Sequence, residues 1–151
     1  MKFTYILTIV STDSTLVDKY VGKKFTIIHC VGAKESFDNS LEQVTAHQRE
    51  SFKRRVILQI ERLADEGPMH MSRGSFPEEG ALPRKKGQHK DKHFRAFKRI
   101  PIRGYCWLSD RVRGTYFISH YINKKKDKLD KSDTTKVGNN WIRIEENGDE
   151  R

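Results

Sequence analysis

The sequence predicts an α+β fold, in which an antiparallel-rich sheet of about four or five strands is packed by two N-terminal helices and a C-terminal helix. Residues 94–122 hold three short runs rich in aromatic and β-branched side chains, which suit a pleated sheet. Residues 35–66 repeat apolar side chains at helical spacing. With 151 residues, of which 35% are hydrophobic and 33% charged, the chain suffices for one domain with a modest core.

The chain is predicted to consist of an N-terminal extension over residues 1–23, a domain over 24–146 and a disordered tail over 147–151. In the extension, residues 2–10 are predicted as a short strand and 16–20 as a helical turn. The apolar start is too short to span a bilayer and lacks a small-residue cleavage site. We therefore expect a cytoplasmic protein with no membrane partner.

After a strand at 25–31, residues 35–66 are predicted to form two helices that divide near residue 45. Thr45 and Gln48 fit a capping box for the second helix, whose exposed cations are interpreted as ordinary surface charges. Residues 68–93 are broken repeatedly by glycine and proline. They therefore predict a long loop of functional or disordered character.

Three strands are predicted over 94–99, 101–108 and 115–122, with a hairpin loop that ends at Gly114. A last helix over about 131–145 follows, because apolar residues there recur at i, i+4 and i+7.

Strict strand alternation assigns the side chains of these strands to two faces. Ile100, Ile102 and Cys106 are predicted to share one face, and Arg103 and Tyr105 the other. On the last strand, alternation predicts that His120 faces the same side as Ile118 and Ile122, and that Ser119 and Tyr121 face the opposite side.

The net charge of +10 favours a nucleic acid as partner, ahead of an acidic protein or an anionic membrane. Nine Lys or Arg residues against one Asp give residues 84–103 a charge of +8. Phe94, Phe97 and Tyr105 interleave with these cations, as in many surfaces that bind single strands. The alternative is a soluble basic surface with no partner.

Cys30 and Cys106 are isolated in strand-like runs and fit neither a disulfide framework nor a zinc spacing. The sequence predicts two buried thiols, no metal site and no cofactor. His29 is interpreted as a packed core histidine.

Several segments resemble the RelE/HigB-type toxins of type II toxin–antitoxin systems, including phage-derived relatives. Residues 60–68 resemble the end of their second helix, 102–107 their Tyr-Arg-aliphatic-aromatic strand, and 118–128 their last strand with its histidine and lysines. The resemblance covers about 25–145. This chain departs from the pattern in its N-terminal residues, in its longer 68–93 loop, and in lacking the Trp-Glu-Leu-Arg strand.

The resemblance implies a RelE-like sheet and an enzyme, a metal-independent endoribonuclease (mRNA interferase) that cleaves mRNA, commonly in the ribosomal A site. It also implies a cognate antitoxin that silences the toxin. The expected partners are therefore mRNA, the antitoxin and the ribosome.

RNA can be cut by attack of its own 2′-OH on the adjacent phosphate, which requires alignment, fixed cations and two proton transfers. Arg103 is the preferred phosphate ligand because a guanidinium grips two oxygens at once, and Lys98 and Arg99 follow. His120 is the preferred proton-transfer group, and Tyr121 completes the candidate catalytic set. The candidate RNA-binding residues are Lys85, Lys86, Lys90, Lys92, Arg95, Tyr105, Lys124, Lys125 and Lys126.

Other interpretations stay open at this point. His120 can be a core strand histidine and Arg103 an ordinary surface arginine. The protein can be a ParE-type toxin that inhibits gyrase by binding, or a basic RNA-binding module without catalysis.

Overall fold

A computed structural model of the chain describes residues 15–99, 101–124 and 129–151. Within them, six strands form one sheet: β1 (Lys19–Val21), β2 (Thr26–His29), β3 (Glu78–Ala81), β4 (His93–Arg99), β5 (Ile102–Leu108) and β6 (Thr115–Asn123). The α-helices are α1 (Ala33–Leu41), α2 (Ala46–Glu66) and α3 (Lys131–Trp141). A 3₁₀ turn at Pro68–His70 follows α2, and a π-helical turn at Ile142–Glu146 follows α3.

The strand order is β1-β2-β6-β5-β4-β3, with β2 parallel to β6 and every other pair antiparallel. The α+β class is confirmed, but the sheet has six strands rather than four or five. The two strands missed are the edge strands β1 and β3, of three and four residues. Such short, exposed segments carry no apolar alternation, so 16–20 was misassigned as a helical turn and 68–93 as continuous loop.

Helices cover both faces of the sheet. The helices α1 and α2 pack on one face, and α3 packs on the other. The core under α1 and α2 includes Ile27, Phe37, Ile60, Phe97, Cys106 and Tyr121. The core under α3 includes Tyr105, Trp107, Phe117, Val137 and Trp141.

The predicted division between the two N-terminal helices is confirmed, since α1 ends at Leu41 and α2 begins at Ala46. The Thr45 hydroxyl donates to Gln48 Oε1 at 2.9 Å rather than capping a backbone N–H. Helix α2 ends at Gly67, whose φ of 89° would be strained for a residue with a Cβ.

A β-bulge in β6 overturns the predicted face assignment of His120. Tyr105 pairs with His120 while Cys106 pairs with Ile118, so Ser119 is an extra residue on β6. As a result His120 faces α3, opposite to Ile118. Tyr121 faces α1, where its ring lies 5.0 Å from that of Phe37.

The carboxylate of Glu145 anchors the C-terminal end of the α3 segment to the sheet. It accepts hydrogen bonds from Trp107 Nε1 at 3.0 Å and Ser109 Oγ at 2.6 Å. The backbone N–H groups of Asp110 and Arg111 also donate to it, at 2.9 and 2.8 Å. Four donors around one buried carboxylate replace the water it loses on burial.

Some predictions lie outside the described residues: the strand at 2–10, the face of Ile100, and the roles of Lys125 and Lys126. The tail residues 147–151 are exposed, and Arg151 Nη1 lies 3.4 Å from Asp18 Oδ1. Among the described helices, none has both the length and the apolar character needed to cross a membrane.

Replacing Gly104 by alanine should destabilise the fold, because the new Cβ would lie 2.5 Å from Tyr121 Cε2 in a closely packed core. We expect a loss of about 1–3 kcal/mol in the free energy of unfolding, measured by urea denaturation.

Gly138→Ala is the matched control for this prediction. A Cβ there would meet Pro83 Cγ at an ordinary 3.7 Å inside α3, so we expect a gain of about 0.5–1 kcal/mol. Equal stability of the two variants would contradict the packing described for Tyr121.

Candidate functional site

Three of the five predicted catalytic residues are buried, with Arg103 3%, His120 1% and Tyr121 2% exposed. They also lie on two different faces of the sheet, since Arg103 and His120 belong to the α3 face and Tyr121 to the α1 face. The structure therefore does not bring them together on an accessible surface.

His120 belongs to a chain of buried hydrogen bonds between β6 and α3. Its Nε2 lies 3.0 Å from Asp133 Oδ1, and its Nδ1 lies 2.8 Å from Ser119 Oγ. Asn140 Nδ2 donates to the same Ser119 oxygen at 2.8 Å. Both imidazole nitrogens are thus engaged within the protein, which favours the interpretation of His120 as a core histidine.

Tyr121 is engaged with His29 on the opposite face. His29 Nδ1 lies 2.8 Å from the Val17 carbonyl oxygen, which can only accept, so Nδ1 carries the proton. His29 Nε2 therefore accepts from the Tyr121 hydroxyl at 2.7 Å. Burial lowers the pKa of His29 to about 4 and raises the pKa of Tyr121 well above its usual value.

Lys124 lies near a carboxylate at the start of α3. Lys124 Nζ is 3.7 Å from Asp130 Oδ2. The Tyr105 ring lies 5.3 Å from that of His120 and is tilted by 51° relative to it. Burial, and then the negative charge of Asp133, raise the pKa of Tyr105. These predicted RNA contacts are therefore part of the packed α3 face.

The predicted loop cations, in contrast, are exposed. Residues 82–92 form a loop before β4, and its shape is held by a few ion pairs. Arg84 Nε lies 2.6 Å from Asp91. Lys85 and Lys92 both contact Asp110, at 3.2 and 3.0 Å.

Within the described ranges, Lys86 and Lys90 form no ion pair and are exposed to solvent. Sequence reasoning missed two exposed imidazoles of this region, His89 and His93. It also missed Asp110, which anchors two loop lysines. The only sequence signal for these residues was their position beside cations.

The cations of β4 are only half exposed. The Arg95 guanidinium lies 5.1 Å from the Phe76 ring centroid and donates to the Phe76 carbonyl oxygen at 3.1 Å. Lys98 and Arg99 lie at the opposite end of β4 from the loop. The strand therefore separates two basic regions of the surface.

His120→Ala should act mainly on stability, since it removes a buried ring and leaves the Asp133 carboxylate without its partner. We expect a loss of about 2–4 kcal/mol in the free energy of unfolding. The exposed His89→Ala should change it by less than about 0.5 kcal/mol. An H120A protein that is as stable as wild type would contradict the role assigned here.

Acid should destabilise the fold through His29, whose pKa is lower in the folded than in the unfolded protein. Its contribution is intact above the unfolded-state pKa of about 6.5 and is lost as the pH falls towards the folded-state value of about 4. The loss should approach about 3 kcal/mol.

This pH dependence is measured as the free energy of unfolding in urea at several pH values between about 4 and about 6.5. His29→Gln should flatten the profile, while carboxylate titration contributes equally to both proteins. Parallel profiles for wild type and variant would show that His29 is not the cause.

The described residues contain no group of three or more His, Cys, Asp or Glu side chains arranged to hold a metal ion. No protein-family model, curated protein or solved structure matches this chain.

Proposed function

We propose that this protein is a toxin of a toxin–antitoxin pair that inhibits translation as a metal-independent mRNA endoribonuclease. The observation that carries the proposal is the exposed basic loop at 82–92. Asp91 and Asp110 hold the shape of this loop through ion pairs, while Lys86 and Lys90 remain available to a polyanion. An RNA backbone is the polyanion that best suits such a loop.

The order of elements supports the same proposal. If the short edge strand β3 is left aside, β2 is followed by the helices α1 and α2, the antiparallel strands β4, β5 and β6, and the final helix α3. This is the order on which the resemblance to the RelE/HigB-type toxins rests. The expected antitoxin and ribosome belong to this proposal.

Cleavage would proceed by attack of the 2′-oxygen on phosphorus, with departure of the 5′-oxygen. A base removes the 2′-hydroxyl proton, an acid returns a proton to the 5′-oxygen, and a 2′,3′-cyclic phosphate forms. His89 and His93 are exposed imidazoles that flank Lys90 and Lys92, so they are better placed for proton transfer than the buried His120. Lysines nearby would stabilise the charge that develops on phosphorus.

A second candidate is a basic RNA-binding module without catalysis. It is favoured by the burial of His120 and Tyr121 and by their engagement in internal hydrogen bonds. The two candidates share the RNA-binding surface and differ only in whether RNA is cut.

The first test is to induce the wild type in growing cells and to map the 5′ ends of a reporter mRNA by primer extension. We expect new ends with the wild type, and at least about tenfold fewer with Lys86→Ala/Lys90→Ala, because two backbone contacts are lost. Lys131→Ala/Lys136→Ala removes the same charge from the exposed side of α3 and should cleave as the wild type does. Growth arrest with intact mRNA would refute the nuclease and direct attention to gyrase.

Catalysis is tested separately with purified protein and a short RNA. His89→Ala or His93→Ala removes the imidazole that transfers a proton. The variant should cleave about 10²–10⁴-fold more slowly, with little change in RNA affinity. His120→Ala, assayed under conditions where it is folded, should cleave at a rate close to that of wild type. RNA binding without cleavage at any protein concentration would establish the non-catalytic module instead.

A further inference from the structure

A cleft of about 240 Å³ opens between α2 and the segment 71–75, beside the end of β4. Three arginines line it, Arg55 and Arg62 from α2 and Arg99 from β4. No carboxylate belongs to its lining, which otherwise consists of Leu58, Gln59, Met71, Ser72 and Ser75.

The α2 arginines occupy one face of the helix. Arg55 and Arg62 are seven residues apart, so their Cα atoms are separated by about 10 Å along the helix axis. Leu58 lies between them and is 63% exposed. In the sequence, these arginines looked like ordinary surface charges, because Arg99, which faces them across the cleft, is remote along the chain.

The guanidinium groups of the three cleft arginines are available to bind an external ligand. Within the described part of the chain, none of them forms an ion pair or a hydrogen bond. Other arginines do so: Arg84 bonds Asp91 at 2.6 Å, and Arg111 donates to the Ile144 carbonyl oxygen at 2.6 Å. Three guanidinium groups held together without a counter-charge favour an anionic ligand from outside the protein.

We propose that this cleft binds the phosphodiester backbone of single-stranded RNA, as a second contact region beyond the basic loop. Guanidinium groups suit phosphate because each can donate two parallel hydrogen bonds to it. Exposed Leu58 and half-buried Met71 offer an apolar surface on which a base can rest. The inference rests on the proposed function, in that RNA is taken as the ligand.

The position of the cleft favours RNA over a short acidic protein segment. Arg99 ends β4 and His93 begins it, so the two regions border opposite ends of a strand about 20 Å long, the cleft beside α2 and the loop on the side of α3, where Leu82 belongs to the core. An RNA strand carries one charge per nucleotide over any length and can therefore contact both regions. The half-exposed Arg95, between them on β4, lies along this path.

The test measures the affinity of the whole protein for a labelled 2′-O-methyl oligouridylate over a range of salt concentrations. This ligand lacks the attacking hydroxyl, so binding is read without cleavage. Each phosphate contact contributes about 0.7 to the slope of log affinity against log salt for single strands. Arg55→Ala and Arg62→Ala should therefore each reduce the magnitude of the slope by about 0.7.

Arg54→Ala is the matched control, because Arg54 is exposed on α2 next to Arg55 but does not line the cleft. It removes the same charge and should leave the slope unchanged. Equal slopes for Arg54→Ala, Arg55→Ala and Arg62→Ala would overturn the cleft as an RNA site. If the wild type still binds RNA in that case, the proposed function is not contradicted.

Three further outcomes distinguish failure of the cleft proposal from failure of the proposed function. A wild-type protein that binds no oligouridylate at low salt would overturn both the cleft and the proposed function. Oligoglutamate at equal charge concentration could displace the RNA from the wild type but not from Arg55→Ala. This result would assign the cleft to an acidic protein segment and overturn the RNA site. Binding with the expected slopes, but no cleavage of ordinary RNA, would support the cleft as an RNA-binding site and refute the proposed endoribonuclease activity.

Discussion

One extra residue in β6 determines how the chemistry-bearing side chains are distributed. Ser119 interrupts the pairing with β5, so that His120 is turned towards α3 and Tyr121 towards α1. Each of the two side chains then completes a different buried hydrogen-bond chain, one with Asp133 and one with His29. Without the bulge, strict alternation would place His120 in the apolar core under α1 and α2, where it would lose both partners.

Charge is used differently in the interior and at the surface. Under α3, the buried Glu145 carboxylate accepts hydrogen bonds from four donors. At the surface, Lys86 and Lys90 in the loop and the arginines of the cleft have no such partners among the described residues. Buried charges must be paired to be tolerated, whereas exposed unpaired cations cost little and attract polyanions. Unpaired cations of the described residues therefore lie at the surface, in the basic loop and in the cleft.

The sequence predicted the parts of the fold whose pattern is local. The three central strands and the division of the helices near Thr45 follow from periodicity and composition. The edge strands were missed because they are short and exposed, and the bulge because Ser119 reads as an ordinary strand residue. The burial of Arg103 could not be foreseen, because it depends on contacts with distant parts of the chain. The cleft was missed for the same reason, since Arg99 meets α2 only in the folded protein.

The anchoring of α3 has a consequence for how the protein is made. Domains begin to fold from the N-terminal side during synthesis, and residues 129–151 leave the ribosome after all six strands. Until they do, the sheet face that carries Tyr105 and Trp107 has no cover, and an exposed apolar face of this kind promotes association. A chain released before Glu145 is translated would keep its exposed basic loop but lack the last contact that closes the fold. Premature termination before Glu145 should therefore yield a product that aggregates or is degraded, rather than a smaller working protein.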